Sequence, residues 1–290
     1  MGGLSRGGLP GGMVLPGGIG GVVILVVVVL FTQFGGGSGG DTASTGYDGT
    51  EIEGAEIEGT DLSQCRTGAD ANASQDCRIV GTVNSVQAYW DDALPEQADV
   101  DYTESVTNLF SGSVDTGCGA ATSDVGPFYC PTDASVYLDM SFFDAMLEQQ
   151  LGARGGDFAE AYVVAHEYGH HVQHLLGTTQ RVRSEQGATS DSVRLELQAD
   201  CYAGMWARHA TTVEDEFGET YILELSEGDV AEAIDAAESV GDDRIQEQTQ
   251  GRSDPETWTH GSAADRKQWF LTGMSAGSLA ACDTFSASTL

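Results

Sequence analysis

The sequence predicts a mainly helical α+β domain with a small β-hairpin, preceded by one transmembrane helix. Apolar residues recur at helical spacing in several segments after residue 80. Two short apolar runs flank turn-forming residues at 131–135, which is typical of a hairpin. Near the amino terminus, a continuous apolar stretch is long enough to cross a bilayer.

The apolar stretch, Met13–Phe34, follows a Gly-rich tail over residues 1–12. As a helix its 22 residues would reach about 33 Å, enough for a bilayer core of roughly 30 Å. The sequence therefore predicts a membrane anchor here, and Arg6 ahead of it favours an outside location for the rest of the chain. A cleaved signal peptide is the competing interpretation because small residues follow at 35–40, although no Ala-x-Ala site is present.

Beyond the anchor, residues 35–63 are rich in Gly, Ser, Thr and acids, which predicts a flexible acidic linker. Residues 64–290 are expected to form one domain. Its predicted elements are a helix at Val80–Ala93, a hairpin with strands Phe128–Cys130 and Val136–Leu138, and helices at Asp157–Leu176 and about Ser192–His209. Two more helices start at Ser226 and Ser262, each followed three residues later by an aspartate.

The chain is strongly acidic, with 45 acidic and 12 basic residues, a formal charge of −33, and Lys267 as its single lysine. Such a surface repels nucleic acid and anionic lipid headgroups, so neither is expected as a partner of the folded part. Dense carboxylates with almost no lysine also suggest a protein that works in high salt, where screening relieves self-repulsion.

The six cysteines include no Cys-x-x-Cys pair, which argues against a thiolate metal site. Nearest-neighbour pairing, one of many connectivities open to six cysteines, would join Cys65 to Cys77, Cys118 to Cys130 and Cys201 to Cys282. If the cysteines are oxidised, the domain lies outside the cytoplasm.

One segment of the predicted helix at Asp157–Leu176 has the spacing of a metal site. His166 and His170 are four residues apart, so their imidazoles can reach a common point. Glu167 is placed to reach a metal-bound water rather than the metal. In a hydrolytic zinc site the histidines bind the metal and such a glutamate acts on the water. The sequence predicts one zinc ion at these histidines, with Glu167 as the general base.

Glu196 is the best candidate for a third ligand. Asp200 lies one turn later on the same face and could accept a hydrogen bond from a ligand histidine's other nitrogen. In so acidic a chain both would more often be surface acids, but the two motifs together favour a site. We expect structural roles for His171 and His174, which follow the motif on its helix.

His260 stands in a turn just before a helix. Its imidazole could donate a hydrogen bond to the oxyanion of a tetrahedral intermediate. A surface or capping histidine is an equally good interpretation of this residue alone.

Residues 80–285 resemble a family of bacterial neutral zinc metallopeptidases, which are membrane-anchored proteins with an extracytoplasmic domain. The blocks that carry the resemblance, in chain order, are Cys118-Gly119, Gly126–Pro131, Val136–Asp139, Asp157–Ala159, His166–Gln173, Glu196–Gly204, Thr259–Ser262 and Ala281–Phe285. Eight blocks in order are far more specific than the histidine motif alone. The chain departs from the family at its amino terminus, which is shorter and lacks an arginine-rich opening.

More widely, the chain resembles gluzincins, a class of zincin folds in which a helix with His-Glu-x-x-His is followed by one with Glu-x-x-x-Asp. The likeness implies that Glu196 is the third zinc ligand, Asp200 its support, and His260 a group that stabilises the intermediate. It also implies a protein or peptide substrate whose backbone adds to an edge strand, a role that falls to Gly126–Leu138.

Two other classes of function remain open. A catalytically silent, zinc-stabilised membrane protein could bind peptides or partner proteins, although Glu167 is not needed to bind a metal. A structural or adhesive domain held by disulfides would carry the histidine motif by accident and bind no stoichiometric zinc. The expected location is a single-pass membrane protein with its domain outside, or a secreted form if the amino terminus is cleaved.

The excess of acidic residues makes a prediction about salt. The protein should melt at a higher temperature in molar salt than in dilute buffer, because salt screens carboxylate repulsion. Melting curves at several salt concentrations measure this, and equal stability in all of them would contradict the prediction.

Overall fold

A computed structural model describes residues 62–148, 151–215 and 217–290. The predicted tail, the predicted anchor and nearly all of the predicted linker lie outside these residues. Within the described part of the chain, no helix is both long enough and apolar enough to span a bilayer.

The described residues form a mixed α+β fold that is mainly helical, as predicted. Its α-helices are α1 Gly68–Ala73, α2 Gln75–Ala98, α3 Asp157–Leu175, α4 Asp191–His209, α5 Glu227–Ser239, α6 Asp242–Gln250 and α7 Ala263–Ala276. Four of them match the predicted segments closely, and α2 extends beyond both predicted ends. Helix α6 was not predicted, because Ile245 is its single apolar residue and such a helix has no apolar periodicity.

Serine caps set the starts of the later helices. Ser226 caps α5 and forms a capping box with Asp229, as the sequence predicts. Ser262 caps α7 by accepting a hydrogen bond from the backbone N–H of Asp265. The start of α7 positions Arg266, which lies in the first turns of this helix and bonds to Asp200.

The strands are β1 Val106–Phe110, β2 Ser113–Thr116, β3 Gly119–Thr122, β4 Phe128–Cys130 and β5 Ser135–Asp139. The predicted hairpin is confirmed, since β4 and β5 pair antiparallel. It belongs to a larger sheet of order β1-β5-β4, in which β1 pairs parallel with β5, while β2 and β3 form a separate hairpin. Strand β1 was not predicted, because a parallel pair has no tight-turn signal between its strands.

Helix α3 lies in the middle of the core. Every residue from Phe158 to Gln173 is buried, and the helix packs against α2, α4, α5 and strands β4 and β5. A helix buried all round places its polar side chains in the interior, where they require partners. The histidine motif therefore lies inside the domain.

Helices α4 and α7 pack backbone against backbone. A Cβ atom at Gly204 of α4 would overlap the carbonyl oxygen of Phe270, and one at Gly273 of α7 would overlap the carbonyl oxygen of Cys201. A disulfide between Cys201 and Cys282 joins α4 to the segment after α7. The other disulfides pair Cys65 with Cys77 and Cys118 with Cys130, so the nearest-neighbour pairing is confirmed.

Replacing Gly273 by alanine should destabilise the domain by about 2 kcal/mol or more, because the new methyl group overlaps backbone that cannot move independently. Denaturant unfolding measures the change. Gly81→Ala in α2 is the matched control, because nothing lies within 4 Å of its Cβ position and alanine is the better helix former. Equal stability of Gly273→Ala and the unmodified protein would contradict the close packing.

Candidate metal centre

Two imidazoles from α3 and one carboxylate from α4 converge in the core. His166 Nε2 lies 3.3 Å from one oxygen of Glu196, and His170 Nε2 lies 3.5 Å from the other. One ligand atom from each residue falls within a cluster no more than 4.8 Å across, and all three residues are buried. The structure thus brings together the three residues that the sequence predicts as metal ligands.

A glycine of α3 allows this helix and α4 to approach each other closely. Gly169, inside the histidine motif, faces the backbone of α4, and a Cβ there would lie 3.0 Å from the Cα and carbonyl oxygen of Ala199. Such a distance is tighter than ordinary van der Waals contact, so a side chain would push α4 outwards. The small residue lets Glu196, one turn before Asp200, reach both imidazoles.

The other nitrogen of His166 is held by the predicted supporting carboxylate. His166 Nδ1 donates to Asp200 Oδ1 at 2.8 Å, and the hydroxyl of Tyr162 donates to the same oxygen. Burial disfavours a charged imidazole, yet the carboxylates of Asp200 and Glu196 together raise the pKa of His166 to about 10. Asp200 therefore favours positive charge on this ring, which is also the charge that a bound cation brings.

Arg266 of α7 completes this network. Its Nε donates to Asp200 Oδ2 at 2.8 Å and its Nη2 to Oδ1 at 2.9 Å, a bidentate pair with both side chains buried. Although burial alone would raise it, the Arg266 charge holds the pKa of Asp200 well below its usual range. Arg266 was not predicted from the sequence. The one signal for it is a basic residue near the start of a predicted helix, in a chain with few basic residues.

His170 has a neutral partner instead. Its Nδ1 lies 2.9 Å from Gln173 Oε1, and Gln173 Nε2 donates to the carbonyl oxygen of Leu195 at 2.7 Å. The same nitrogen also reaches Gln198 Oε1 at 3.2 Å. The amide is therefore fixed with its oxygen towards the imidazole. This role of Gln173 was not predicted from the sequence. Gln173 follows His170 by three residues on one helix, and side chains at that spacing are neighbours.

The fixed rings decide what the cluster can hold. Both Nδ1 atoms face acceptors and so carry a hydrogen, which turns each Nε2 towards Glu196, where a cation that replaces a proton would find its lone pair. Burial would raise the pKa of Glu196, but the neighbouring His170 and His166 hold it well below its ordinary value. Two imidazole nitrogens and one carboxylate oxygen are the donor set of hydrolytic zinc sites, so these residues fit the predicted ion.

Glu167 lies beside the cluster on the wall of a cavity of about 100 Å³, which His166, His170, Glu196 and His260 also line. It is buried, and burial raises the pKa of its carboxyl group, with His170 and His166 opposing. A carboxyl group in such a cavity is suited to accept a proton from water.

His260 lines the same cavity and lies in the turn just before α7. Asp242 Oδ2 accepts the backbone N–H groups of Thr259, His260 and Gly261 at 2.8, 2.6 and 3.0 Å, which fixes the turn. The Nδ1 of His260 lies 2.9 Å from the Thr259 hydroxyl and 3.5 Å from Asp242 Oδ1. Burial disfavours its charge, yet Asp242 raises the pKa of His260. No motif in the sequence marks Asp242 for this role.

The two further histidines of α3 lie outside the cluster. His171 is buried, with Nε2 2.6 Å from the carbonyl oxygen of Thr103 and Nδ1 3.1 Å from the Tyr129 hydroxyl. The half-buried His174 also packs near the Tyr129 ring. The structural roles expected for both residues agree with these contacts.

The segment expected to bind a peptide backbone is only partly at a sheet edge. Strand β4 is an edge strand, and Val125, Gly126 and Pro127 just before it line the cavity. Strand β5 is the central strand, with its backbone groups shared between β1 and β4. The expectation for Gly126–Leu138 was therefore wrong for the β5 portion, because a central strand has no free edge.

Comparison with known proteins finds relatives in mycobacteria and in Escherichia coli. The chain is 57% identical over 232 residues to an uncharacterized protein of Mycobacterium tuberculosis and to one of Mycobacterium bovis, covering 79% of this chain and 77% of each relative. It is 47% identical over 190 residues to the uncharacterized protein YpfJ of Escherichia coli, covering 63% of this chain and 62% of that protein. No solved structure matches the chain. The family described as "Putative neutral zinc metallopeptidase" matches residues 1–285, and the chain belongs to this family.

Proposed function

We propose that the protein is a zinc-dependent metallopeptidase that hydrolyses peptide bonds. The observation that carries the proposal is the pair of Nε2 atoms turned towards Glu196, each fixed by an acceptor at its Nδ1. A purely structural cluster would not need a cavity at its ligands, whereas this cluster opens onto one.

His166, His170 and Glu196 would hold one zinc ion. When bound there, zinc would supply a Lewis acid that lowers the pKa of water and polarises a carbonyl group. A carboxylate oxygen of Glu167 takes the proton from the attacking water and then passes it to the leaving amide nitrogen. Its raised pKa brings this group nearer to the neutral range, where it can both accept and release a proton.

His260 lines the same cavity and supports the same reaction. Its Nδ1 is held by Thr259 and Asp242, so the other ring nitrogen is left for the cavity. From there it donates a hydrogen bond to the oxyanion that forms as water attacks. The free edge of β4 would bind the peptide backbone by strand addition.

The proposed location is outside the cytoplasm. Three disulfides are expected in an oxidising compartment. The apolar stretch Met13–Phe34 would anchor the domain to the membrane, or would be removed in a secreted form.

Glu167→Gln should bind zinc normally and lose hydrolysis by about 100-fold or more, because an amide cannot accept the proton from water. Zinc content and cleavage of a quenched fluorescent peptide measure the two effects. Glu160→Gln is the matched control, since Glu160 lies on the same helix but bonds to Gln75 and Arg78. Activity near that of the unmodified protein in Glu167→Gln would refute the proposal.

Asp200→Asn should weaken zinc binding about 10- to 100-fold, because an amide no longer fixes the His166 ring with the charge of a carboxylate. Competition with a chelating dye measures the affinity without any substrate. Asp191→Asn, nine residues earlier on the same helix, should leave it unchanged. Equal zinc affinity in the two variants would show that Asp200 does not support the ligand.

A further inference from the structure

The amide that holds the His170 ring is itself held by a second glutamine, Gln198 of α4. Nε2 of Gln173 donates to the carbonyl oxygen of Leu195 at 2.7 Å and to Oε1 of Gln198 at 3.2 Å. Nε2 of Gln198 in turn donates to the carbonyl oxygen of Cys282 at 2.9 Å. Both glutamine side chains are buried. Two amides therefore connect the His170 ring to the segment after α7.

The backbone carbonyl at the end of this series fixes the direction of its bonds. A carbonyl oxygen only accepts, so Gln198 turns its Nε2 towards Cys282 and its Oε1 towards Gln173. Gln173 then uses its Nε2 as a donor, which leaves its Oε1 for the Nδ1 of His170. A reversed Gln198 amide would set two donors against each other in the core. The Cys282 carbonyl therefore favours the ring orientation that turns Nε2 towards Glu196.

Side chains of α4 hold the segment that supplies this carbonyl. Cys201 forms the disulfide with Cys282, and both residues are buried. Arg194, two turns earlier on α4, donates to the carbonyl oxygens of Thr284 and Ala287. The hydroxyl of Thr284 donates back to the carbonyl oxygen of Arg194 at 2.6 Å. The Cys282 carbonyl is thus fixed relative to α4 by a covalent bond and by hydrogen bonds on both sides of the helix backbone.

The same disulfide lies next to the support of the other imidazole. Cys201 directly follows Asp200, whose carboxylate accepts the hydrogen bond from Nδ1 of His166. A broken disulfide would release the Cys282 carbonyl and loosen the turn of α4 that carries Asp200. Loss of the Gln198 amide would act on one imidazole alone. The two changes are therefore expected to differ in size.

We propose that Gln198 is a positioning residue for the candidate ligand His170. It acts through Gln173 and does not belong to the ligand cluster itself. The disulfide between Cys201 and Cys282 holds the carbonyl that orients Gln198, so the affinity for zinc depends on this disulfide as well as on the ligands. The inference rests on the zinc site of the proposed function and concerns what holds that site in order.

Gln198→Leu should weaken zinc binding by about 3- to 10-fold, because the Gln173 amide loses one of the two acceptors that orient it. The Leu195 carbonyl still holds the other amide hydrogen, so the loss stays below that expected for a direct partner of a ligand. Competition with a chelating dye measures the affinity without any substrate.

Gln246→Leu is the matched control. Gln246 is a buried glutamine of α6 whose amide bonds to Asp254 and Thr257 and to no ligand. This variant also loses two hydrogen bonds in the interior, but it should keep the zinc affinity of the unmodified protein. Denaturant unfolding of both variants measures how far each loses stability.

A ring proton gives a readout that loss of stability alone does not move. In the zinc-loaded protein, the Nδ1 proton of His170 should exchange with water about 10-fold faster in Gln198→Leu than in the unmodified protein, because its acceptor Gln173 is less firmly held. The Nδ1 proton of His166, bonded to Asp200, should keep its exchange rate. Nitrogen-15 NMR of the imidazoles measures both rates.

Replacing both Cys201 and Cys282 by alanine should weaken zinc binding by about 10- to 100-fold, since both imidazoles lose support. Replacing Cys65 and Cys77 by alanine removes the disulfide between α2 and the residues before α1, and should leave the affinity unchanged. If the variant without Cys201 and Cys282 does not fold, Gln198→Leu alone decides.

Unchanged zinc affinity and ring-proton exchange in Gln198→Leu would overturn the positioning role and leave the proposed hydrolysis standing. Equal losses of affinity in Gln198→Leu and Gln246→Leu would overturn it too, because the effect would then come from general loss of packing. A folded protein without the Cys201–Cys282 disulfide that binds zinc normally would refute the role of that bond. Unmodified protein that binds no zinc would overturn the proposed function as well.

Discussion

A buried carboxylate, that of Asp200, is the point where three helices meet. It lies on α4, accepts hydrogen bonds from Tyr162 and His166 of α3, and forms a bidentate ion pair with Arg266 of α7. A buried charge without partners would destabilise the fold. Here α3 supplies hydrogen-bond donors and α7 supplies the opposite charge. The packing of the core and the orientation of a candidate zinc ligand therefore depend on the same atoms.

Such a meeting requires helices that approach closely, and small residues allow it. Gly169 admits the backbone of α4 towards α3, while Gly204 and Gly273 let α4 and α7 touch. The disulfide between Cys201 and Cys282 holds the segment after α7 against α4. The framework around the site is thus fixed by close backbone contact as well as by side-chain packing, and precise placement of ligands favours such rigid elements.

Local patterns were enough to predict the helices that carry the site, the hairpin and the cluster of His166, His170 and Glu196. Each of these depends on spacing within one element or on residues near its end. Contacts between distant parts of the chain were not predicted. They include the pairing of strand β1 with β5, the bond of Asp242 to the His260 backbone and the ion pair of Arg266 with Asp200. Their positions follow from tertiary packing, which leaves no periodic trace in a single sequence.

The two imidazoles have different partners at Nδ1, a carboxylate for His166 and an amide for His170, and these partners set the net charge around the cluster. Asp200 adds a negative charge behind His166, but Arg266 cancels it, and Gln173 behind His170 adds none. Glu196 is then the single uncompensated anion among the ligands and their direct partners. A divalent ion held there would keep about one unit of net positive charge and would therefore stay electrophilic, while the imidazoles keep their hydrogen bonds to Asp200 and Gln173.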